Sequence, residues 1–415
     1  MLEYPYERPV VADILRGMGM KKRLLHIMTG PRQVGKTTAA LQIADKWKGP
    51  VVNASADLPL PPGPEWIHSQ WELALYQAKQ AGAKQTWAKQ AGAKQGRDGG
   101  NGVLLVLDEV QKVMGWSEVV KDLWDKECRD KAGIQVIILG SSSLLLQKGL
   151  SESLAGRFFL YRCTHWGLSE MERAFSWDMD RWLFFGGYPG AAPLVDQEDV
   201  WSRYVADSLI ETVLAKDVLQ LQTIAKPALL RHLFMLSAVH PAQILSYNKM
   251  LGQLQDSGNT TTLAHYLKLL EAAFLISGLE LFKGGRRQKR GSSPKLIIRN
   301  NGLINAIAGD SFEHSRSDYS WWGRLVENAV GAHLLNHLTD LSHTVYYWRY
   351  RGLEVDFVVK TPKYLWGIEV KSGNARNPKG IAEFLKHYPK ARTLVVGTQG
   401  MGLEEFFRTD PRDLF

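Results

Sequence analysis

Leu24-Leu25-His26-Ile27-Met28-Thr29-Gly30-Pro31-Arg32-Gln33-Val34-Gly35-Lys36-Thr37-Thr38 is the stretch that decides the fold. An apolar run meets a loop of the form GxxxxGKT, and Thr38-Ala39-Ala40-Leu41-Gln42-Ile43-Ala44 continues it with helical spacing. Gly30 and Gly35 let the backbone curl until its N–H groups face a β-phosphate, while the following helix offers its positive end. Lys36 in such a loop reaches the β- and γ-phosphates, and the Thr37 hydroxyl holds Mg²⁺. Pro31, Arg32, Gln33, Val34 and Thr38 complete the phosphate cradle. The expected cofactors are therefore ATP and Mg²⁺.

The chain has 415 residues, 45% of them hydrophobic. At about 100–200 residues per domain it can build two or three cores. The charged fraction is 22% and no apolar run reaches membrane-spanning length, so a soluble protein without membrane contact is expected. Met1-Leu2-Glu3-Tyr4-Pro5-Tyr6-Glu7 lacks the basic start and apolar core of a signal peptide, which points to the cytoplasm. Cys128 and Cys163, too far apart for a zinc pair and too few for a disulfide framework, read as packing residues. A net charge of +9 fits a polyanionic partner.

Beyond the loop helix, Pro50-Val51-Val52-Asn53-Ala54 reads as a second strand, and Pro59-Leu60-Pro61-Pro62-Gly63-Pro64 as a rigid link. Ala78-Lys79-Gln80-Ala81-Gly82-Ala83-Lys84-Gln85 recurs unchanged from Ala88 to Gln95. Residues five apart turn about 140° on a helix, so Lys79, Lys84, Lys89 and Lys94 share no single face. The repeat reads as a solvated, partly helical insertion rather than a basic arm.

Gly102-Val103-Leu104-Leu105-Val106-Leu107 is a wholly apolar run ending in Asp108-Glu109, the pattern of a buried parallel strand whose C-terminal end meets ligand. Asp108 there coordinates Mg²⁺ through water, and Glu109 polarises the attacking water. Val119-Val120-Lys121-Asp122-Leu123-Trp124 is helical in period, and Ile134-Gln135-Val136-Ile137-Ile138-Leu139 is another buried strand, ending in Gly140-Ser141-Ser142-Ser143. Ser141 or Ser142 can sense the γ-phosphate, a helix cap being the alternative for either. Arg157, in Leu154-Ala155-Gly156-Arg157, has two readings. It is a finger reaching a neighbouring subunit's nucleotide, which entails a homo-oligomer, or a surface ion-pairing residue.

Gly30 to Thr38, Leu107-Asp108-Glu109, Leu139-Gly140-Ser141-Ser142, Ala155-Gly156-Arg157 and Phe185-Gly186-Gly187-Tyr188-Pro189 together resemble prokaryotic AAA-superfamily ATPases that carry a C-terminal domain of uncharacterised function. The likeness covers nearly the whole chain. It implies an α/β protein: a P-loop NTPase parallel sheet, a helical and winged-helix middle, and a nuclease-like α/β C-terminal domain of the PD-(D/E)xK type. The family usually has Asp near the Gly-Leu that follows the wing, where this chain reads Arg299-Asn300-Asn301-Gly302-Leu303.

The residues after Pro189 agree with that outline. Tyr204–Ile210 and Leu229–Leu236 have helical period, and 244–251, a Ser257-Gly258-Asn259 turn and 260–270 form a helix-turn-helix pattern. Leu279-Glu280-Leu281-Phe282 and Lys295-Leu296-Ile297-Ile298 read as strands flanking a wing tip. That tip concentrates Arg286, Arg287, Lys289 and Arg290 with no acid, a phosphate-binding signal for DNA; packing alone is the other use of such a module. Further on, Glu369 and Lys371 project from one face of a strand, Asp356 on an adjacent strand joins them, and Glu327 on a helix completes the set. Asp356 and Glu369 can bind a divalent cation, with Lys371 orienting water; plain ion pairs in a retained fold are the alternative. His333 and His337, four apart on a helix, lack a third zinc ligand.

The expected division is 1–175 ATPase domain, 176–298 helical and winged-helix region, and 299–415 nuclease-like domain. The leading expectation is an ATP-hydrolysing protein acting on duplex or branched DNA. The alternative is a nucleotide-controlled switch that binds a protein partner.

Overall fold

A computed structural model describes residues 6–90, 102–130, 132–140, 150, 153–218, 224–254, 259–284, 292–339, 342–371 and 379–415, with backbone alone at 82–90 and 216–217. The chain divides into two compact units, Met1–Cys163 and Thr164–Phe415.

The first unit is built on five parallel strands: β1 (Leu25–Thr29), β2 (Val51–Ser55), β3 (Val103–Asp108), β4 (Ile134–Gly140) and β5 (Phe158–Arg162). Their order across the sheet is β2-β3-β4-β1-β5. The inner strands β1, β3 and β4 are almost wholly buried, because helices cover both faces. Strand alternation divides their side chains between the two faces. Leu25, Ile27, Leu105, Leu107, Val136 and Ile138 face Trp71 of α3 (Glu65–Gln90) and Trp124 of α4 (Trp116–Asp130). The other face receives α1 (Pro9–Met18) and α2 (Lys36–Lys46), whose buried Lys36, Ala39, Ala40 and Ile43 make a helical stripe. The α3 helix includes the first copy of the repeat and the start of the second, and the rest lies outside the described residues. The edge strands β2 and β5 are only partly buried.

The second unit is helical to residue 272 and strand-rich beyond. Tyr204–Glu211 and Val213–Val218 wind as π-helix rather than the α-helix their side-chain period suggests. Helices α5 (Tyr247–Gln253) and α6 (Thr260–Ala272) start at Ser246 and Asn259, whose side chains accept from backbone N–H groups of the first turn. The α6 helix leads into the antiparallel pair β6 (Ile276–Leu279) and β7 (Lys295–Ile298). The first of these strands begins three residues before its expected start, because the apolar run Ala272–Leu275 hides the helix end.

A long helix, α7 (Tyr319–His337), precedes a four-stranded sheet of order β11-β10-β9-β8. Its strands are β8 (Thr344–Tyr350), β9 (Leu353–Lys360), β10 (Leu365–Lys371) and β11 (Arg392–Gly397). The two-residue turn Arg351-Gly352 joins β8 to β9 with φ of 46° and 83°, the left-handed pair that such a hairpin demands. A crossover through α8 (Lys379–His387) makes β10 and β11 parallel.

The Gly186-Gly187 pair and the Asn300-Asn301 pair explain each other. A Cβ on Gly186, where φ is 74°, would stand 1.8 Å from Asn300 Oδ1. That oxygen accepts from the N–H groups of Gly187 and Gly302, a part a carboxylate oxygen can also take. Asn301 Nδ2 instead donates to the carbonyls of Leu183 and Leu325, which no carboxylate can do.

Candidate functional site

The C-terminal ends of β1, β3 and β4 come together because the register pairs Thr29 with Gly140 and Leu107 with Ile138. From β1 the chain enters the glycine loop. A Cβ on Gly30 would lie 1.9 Å from the Cys163 carbonyl oxygen, so close approach of backbone from β5 requires the first glycine. Gln33 and Gly35 take left-handed φ values of 59° and 85°, and the loop then opens into α2. Arg8, almost fully buried, donates to the Val34 carbonyl at 3.1 Å and braces the loop from outside.

Lys36 is buried, and its Nζ donates to the carbonyls of Gly30 at 3.0 Å and Pro31 at 2.7 Å. Burial pulls its pKa below the usual lysine value, against the attraction of Glu109. Neutral carbonyls compensate a desolvated ammonium poorly, so the loop attracts an anion. Thr37 Oγ1 donates to Asp108 Oδ2 at 2.8 Å, bringing two hard oxygen ligands together where Mg²⁺ chemistry needs them. Asp108 Oδ1 accepts from the Glu109 N–H at 2.8 Å. Glu109 itself has φ 53°, a left-handed conformation that costs a non-glycine residue on the order of 1 kcal/mol or more and recurs at functional sites. Burial, reinforced by Asp108 and opposed by Lys36, raises its carboxyl pKa. Gln111 Nε2 orients the same carboxylate at 2.7 Å. These residues fit a triphosphate and its metal.

In the second unit, pairing of Phe357 with Ile368 sets Asp356 beside Glu369, as strand alternation requires. Asp356 Oδ2 accepts from the Val370 N–H at 2.8 Å, and Glu369 Oε1 pairs with Lys371 Nζ at 2.6 Å. Glu327, on α7, closes the group with Glu354. At its centre is Lys295, the first residue of β7, wholly buried. Its Nζ lies 2.6 Å from Glu327, 3.1 Å from Glu354 and 3.7 Å from Asp356, and 3.2 Å from the Asp356 carbonyl. His333 and His337 are structural: His333 Nε2 bonds the Thr409 carbonyl and His337 Nδ1 the His333 carbonyl, and burial drives the His333 pKa down to about 3.

Family models match three stretches of the chain. Residues 22–172 match a family model described as an AAA domain. Two families described only as domains of unknown function match 176–314 (DUF8612) and 322–407 (DUF4143). An uncharacterised protein of Mycobacterium tuberculosis is 30% identical over 276 residues, covering 65% of this chain and 58% of its own length. One from Methanocaldococcus jannaschii is 23% identical over 274 residues, covering 61% and 58%. The matches thus span under three fifths of those relatives' length. Among solved structures, the Walker-type ATPase of Pyrococcus abyssi aligns over 73% of this chain and 96% of its own, at 13% identity and a TM-score of 0.44.

Arg157 lies just before β5, its carbonyl accepting from the Leu25 N–H at 2.9 Å, at the end of the sheet away from the P-loop. The strand length, about 3.3 Å per residue, keeps it from its own nucleotide loop. Its guanidinium holds Asp125 of α4 through two bonds, Nε at 2.8 Å and a terminal nitrogen at 3.0 Å. Ser141, and Arg286, Arg287, Lys289 and Arg290 of the wing tip, lie outside the described residues. Among the described residues no helix is long and apolar enough to cross a membrane. Sequence reasoning missed Arg8, Glu354 and Lys295. Glu354 was within reach, two residues before Asp356 on one strand face; the other two act across long sequence separations.

Proposed function

We propose that this protein binds ATP with Mg²⁺ at the C-terminal edge of its first sheet, hydrolyses it, and uses nucleotide state to change its hold on DNA. The observation that carries the reading is the 2.8 Å contact between Thr37 and Asp108, next to buried Lys36 and left-handed Glu109. Bound Mg²⁺ supplies neutralisation of phosphate charge. Between Gly30 and Thr38 the backbone N–H groups, which Pro31 lacks, would wrap the phosphates, Lys36 would draw the β- and γ-oxygens, Thr37 and Asp108 would hold the metal, and Glu109 would polarise the attacking water. Ser141, which follows Gly140 in sequence, would sense the γ-phosphate. Arg157 assists only a neighbouring copy's nucleotide, so hydrolysis proceeds in a homo-oligomer.

The DNA part rests on the +9 net charge and on Arg286, Arg287, Lys289 and Arg290, which fall in sequence between β6 and β7. In this reading 1–175 is the ATPase domain, 176–298 the helical and winged-helix region, and 299–415 a nuclease-like module that holds DNA. Phosphate release with Lys36→Ala and Glu109→Gln tests the first part, since turnover unchanged in both removes it. Retention of labelled duplex and branched DNA at rising salt tests the second. Binding that fades with salt supports it. No binding at low salt leaves a nucleotide switch for a protein partner.

A further inference from the structure

The cluster around Lys295 goes beyond the nucleotide reading and does not depend on it. Carboxylate oxygens of Glu327, Glu354 and Asp356 lie within 4.8 Å of one another, a spacing that suits a metal ion. Three carboxylates of like charge brought together in a partly buried place favour a cation among them. We propose that the Lys295 ammonium is that cation, standing where the sequence pattern assigns a divalent metal, so that the native protein takes up no divalent ion there and the carboxylates form a latent metal site.

Each part of the geometry favours a resident ammonium. The Lys295 side chain has no exposure to solvent, and its stem enters from β7, a strand paired with β6 and covered by α7. Its Nζ lies over the Phe357 ring, 5.0 Å from the centroid, so the position is held on an apolar side as well. A metal ligated at about 2.0–2.6 Å by the same oxygens would fall on or next to Nζ, and two cations that close repel each other. The acids that the pattern pairs as ligands are separately engaged: Asp356 accepts from the Val370 N–H, and Glu369 is paired with Lys371. Among the described residues the metal-spaced group includes Glu354 and omits Glu369. The ammonium therefore offsets part of the carboxylates' negative charge without a metal.

The test uses the full chain, free of nucleotide, with Mn²⁺ as the probe, and counts only binding that Asp356→Asn removes. The parent should show none. Lys295→Met should gain one Mn²⁺ site, at least about tenfold tighter than any in the parent, and Lys295→Met with Asp356→Asn should lose it. Mn²⁺ binding by the parent that Asp356→Asn abolishes overturns the proposal, and so does a folded Lys295→Met that gains no site. If Lys295→Met does not fold, the charge-balanced Lys295→Met/Glu327→Gln variant decides: recovery of a cooperative melt supports the proposal, and no recovery overturns it. ATP hydrolysis is a separate readout, so failure here leaves the nucleotide reading standing.

Discussion

Lys36 and Lys295 are both buried lysines ringed by oxygen, and their surroundings make opposite demands. Lys36 rests on two neutral carbonyls, and burial outweighs the attraction of more distant Glu109 and Asp108, so its pKa is lowered. Lys295 is just as buried, yet three carboxylates outweigh that burial and its pKa is raised. At the first site the Lys36 ammonium is held directly by neutral groups and draws an anion. The second has negative charge in surplus and already holds its cation. Residue type and burial are the same at the two places, and the charge of the partners separates a ligand-seeking lysine from a structural one.

The largest effects should fall on the first lysine. Lys36→Ala should cut phosphate release from ATP at least about a hundredfold, whereas Lys295→Met, in the second unit, should leave it at the parent's level. Glu109→Gln should lower turnover by about 10²–10⁴-fold, the range for a positioned proton acceptor. Equal losses at Lys36 and Lys295 would erase the distinction between them. The next effect concerns where the positive surplus meets DNA. Replacing Arg286, Arg287, Lys289 and Arg290 by Ala should weaken DNA retention and flatten the plot of log affinity against log salt by up to about 3.6 units, about 0.9 for each phosphate contact. An unchanged slope puts the DNA contact elsewhere.

A smaller effect should appear in pH titrations of stability. Burial raises Glu327 in the folded protein from 4.5 to about 7, so the native state binds the extra proton between those values. The stability this contributes is complete below about pH 4.5 and lost as pH rises toward about 7. Glu327→Gln should flatten that fall in a series of thermal melts, and a slope identical to the parent's means Lys295 already compensates this carboxylate in full. The smallest effect on stability belongs to Arg157→Ala. Its pair with Asp125 is a third or more exposed on each side, so the loss should stay below about 1 kcal/mol. Hydrolysis should fall nevertheless, and mixing with Lys36→Ala subunits should restore part of it. No recovery at any ratio would return Arg157 to a surface ion pair.

What the sequence made legible follows the reach of its signals. β1, β3 and β4 are buried on both faces, so they appear as unbroken apolar runs, and the glycine loop and Asp108-Glu109 fall at their ends by register. The β8–β9 hairpin and β10 show through alternation, with Arg351-Gly352 marking the turn. β5 is short and starts directly after the Gly156-Arg157 loop, so its Phe158-Phe159-Leu160 run was passed over. The π-helical 204–218 stayed hidden because side-chain period does not report which carbonyl each N–H reaches. Lys295 looked like an ordinary strand residue, since its carboxylates come from α7 and β9, far along the chain. Arg8 on Val34 and Cys163 on Gly30 are likewise made by folding, with no local pattern to betray them.

The most direct test is a calorimetric titration of Mg²⁺-ATP into the parent, Lys36→Ala and Glu109→Gln, with each variant's fold checked by its thermal melt. A loop short of negative charge should bind one ATP per chain in the parent and in Glu109→Gln, and lose that binding in Lys36→Ala. Equal ATP affinity in Lys36→Ala and the parent would contradict the account, because the buried ammonium would then not be what the nucleotide answers.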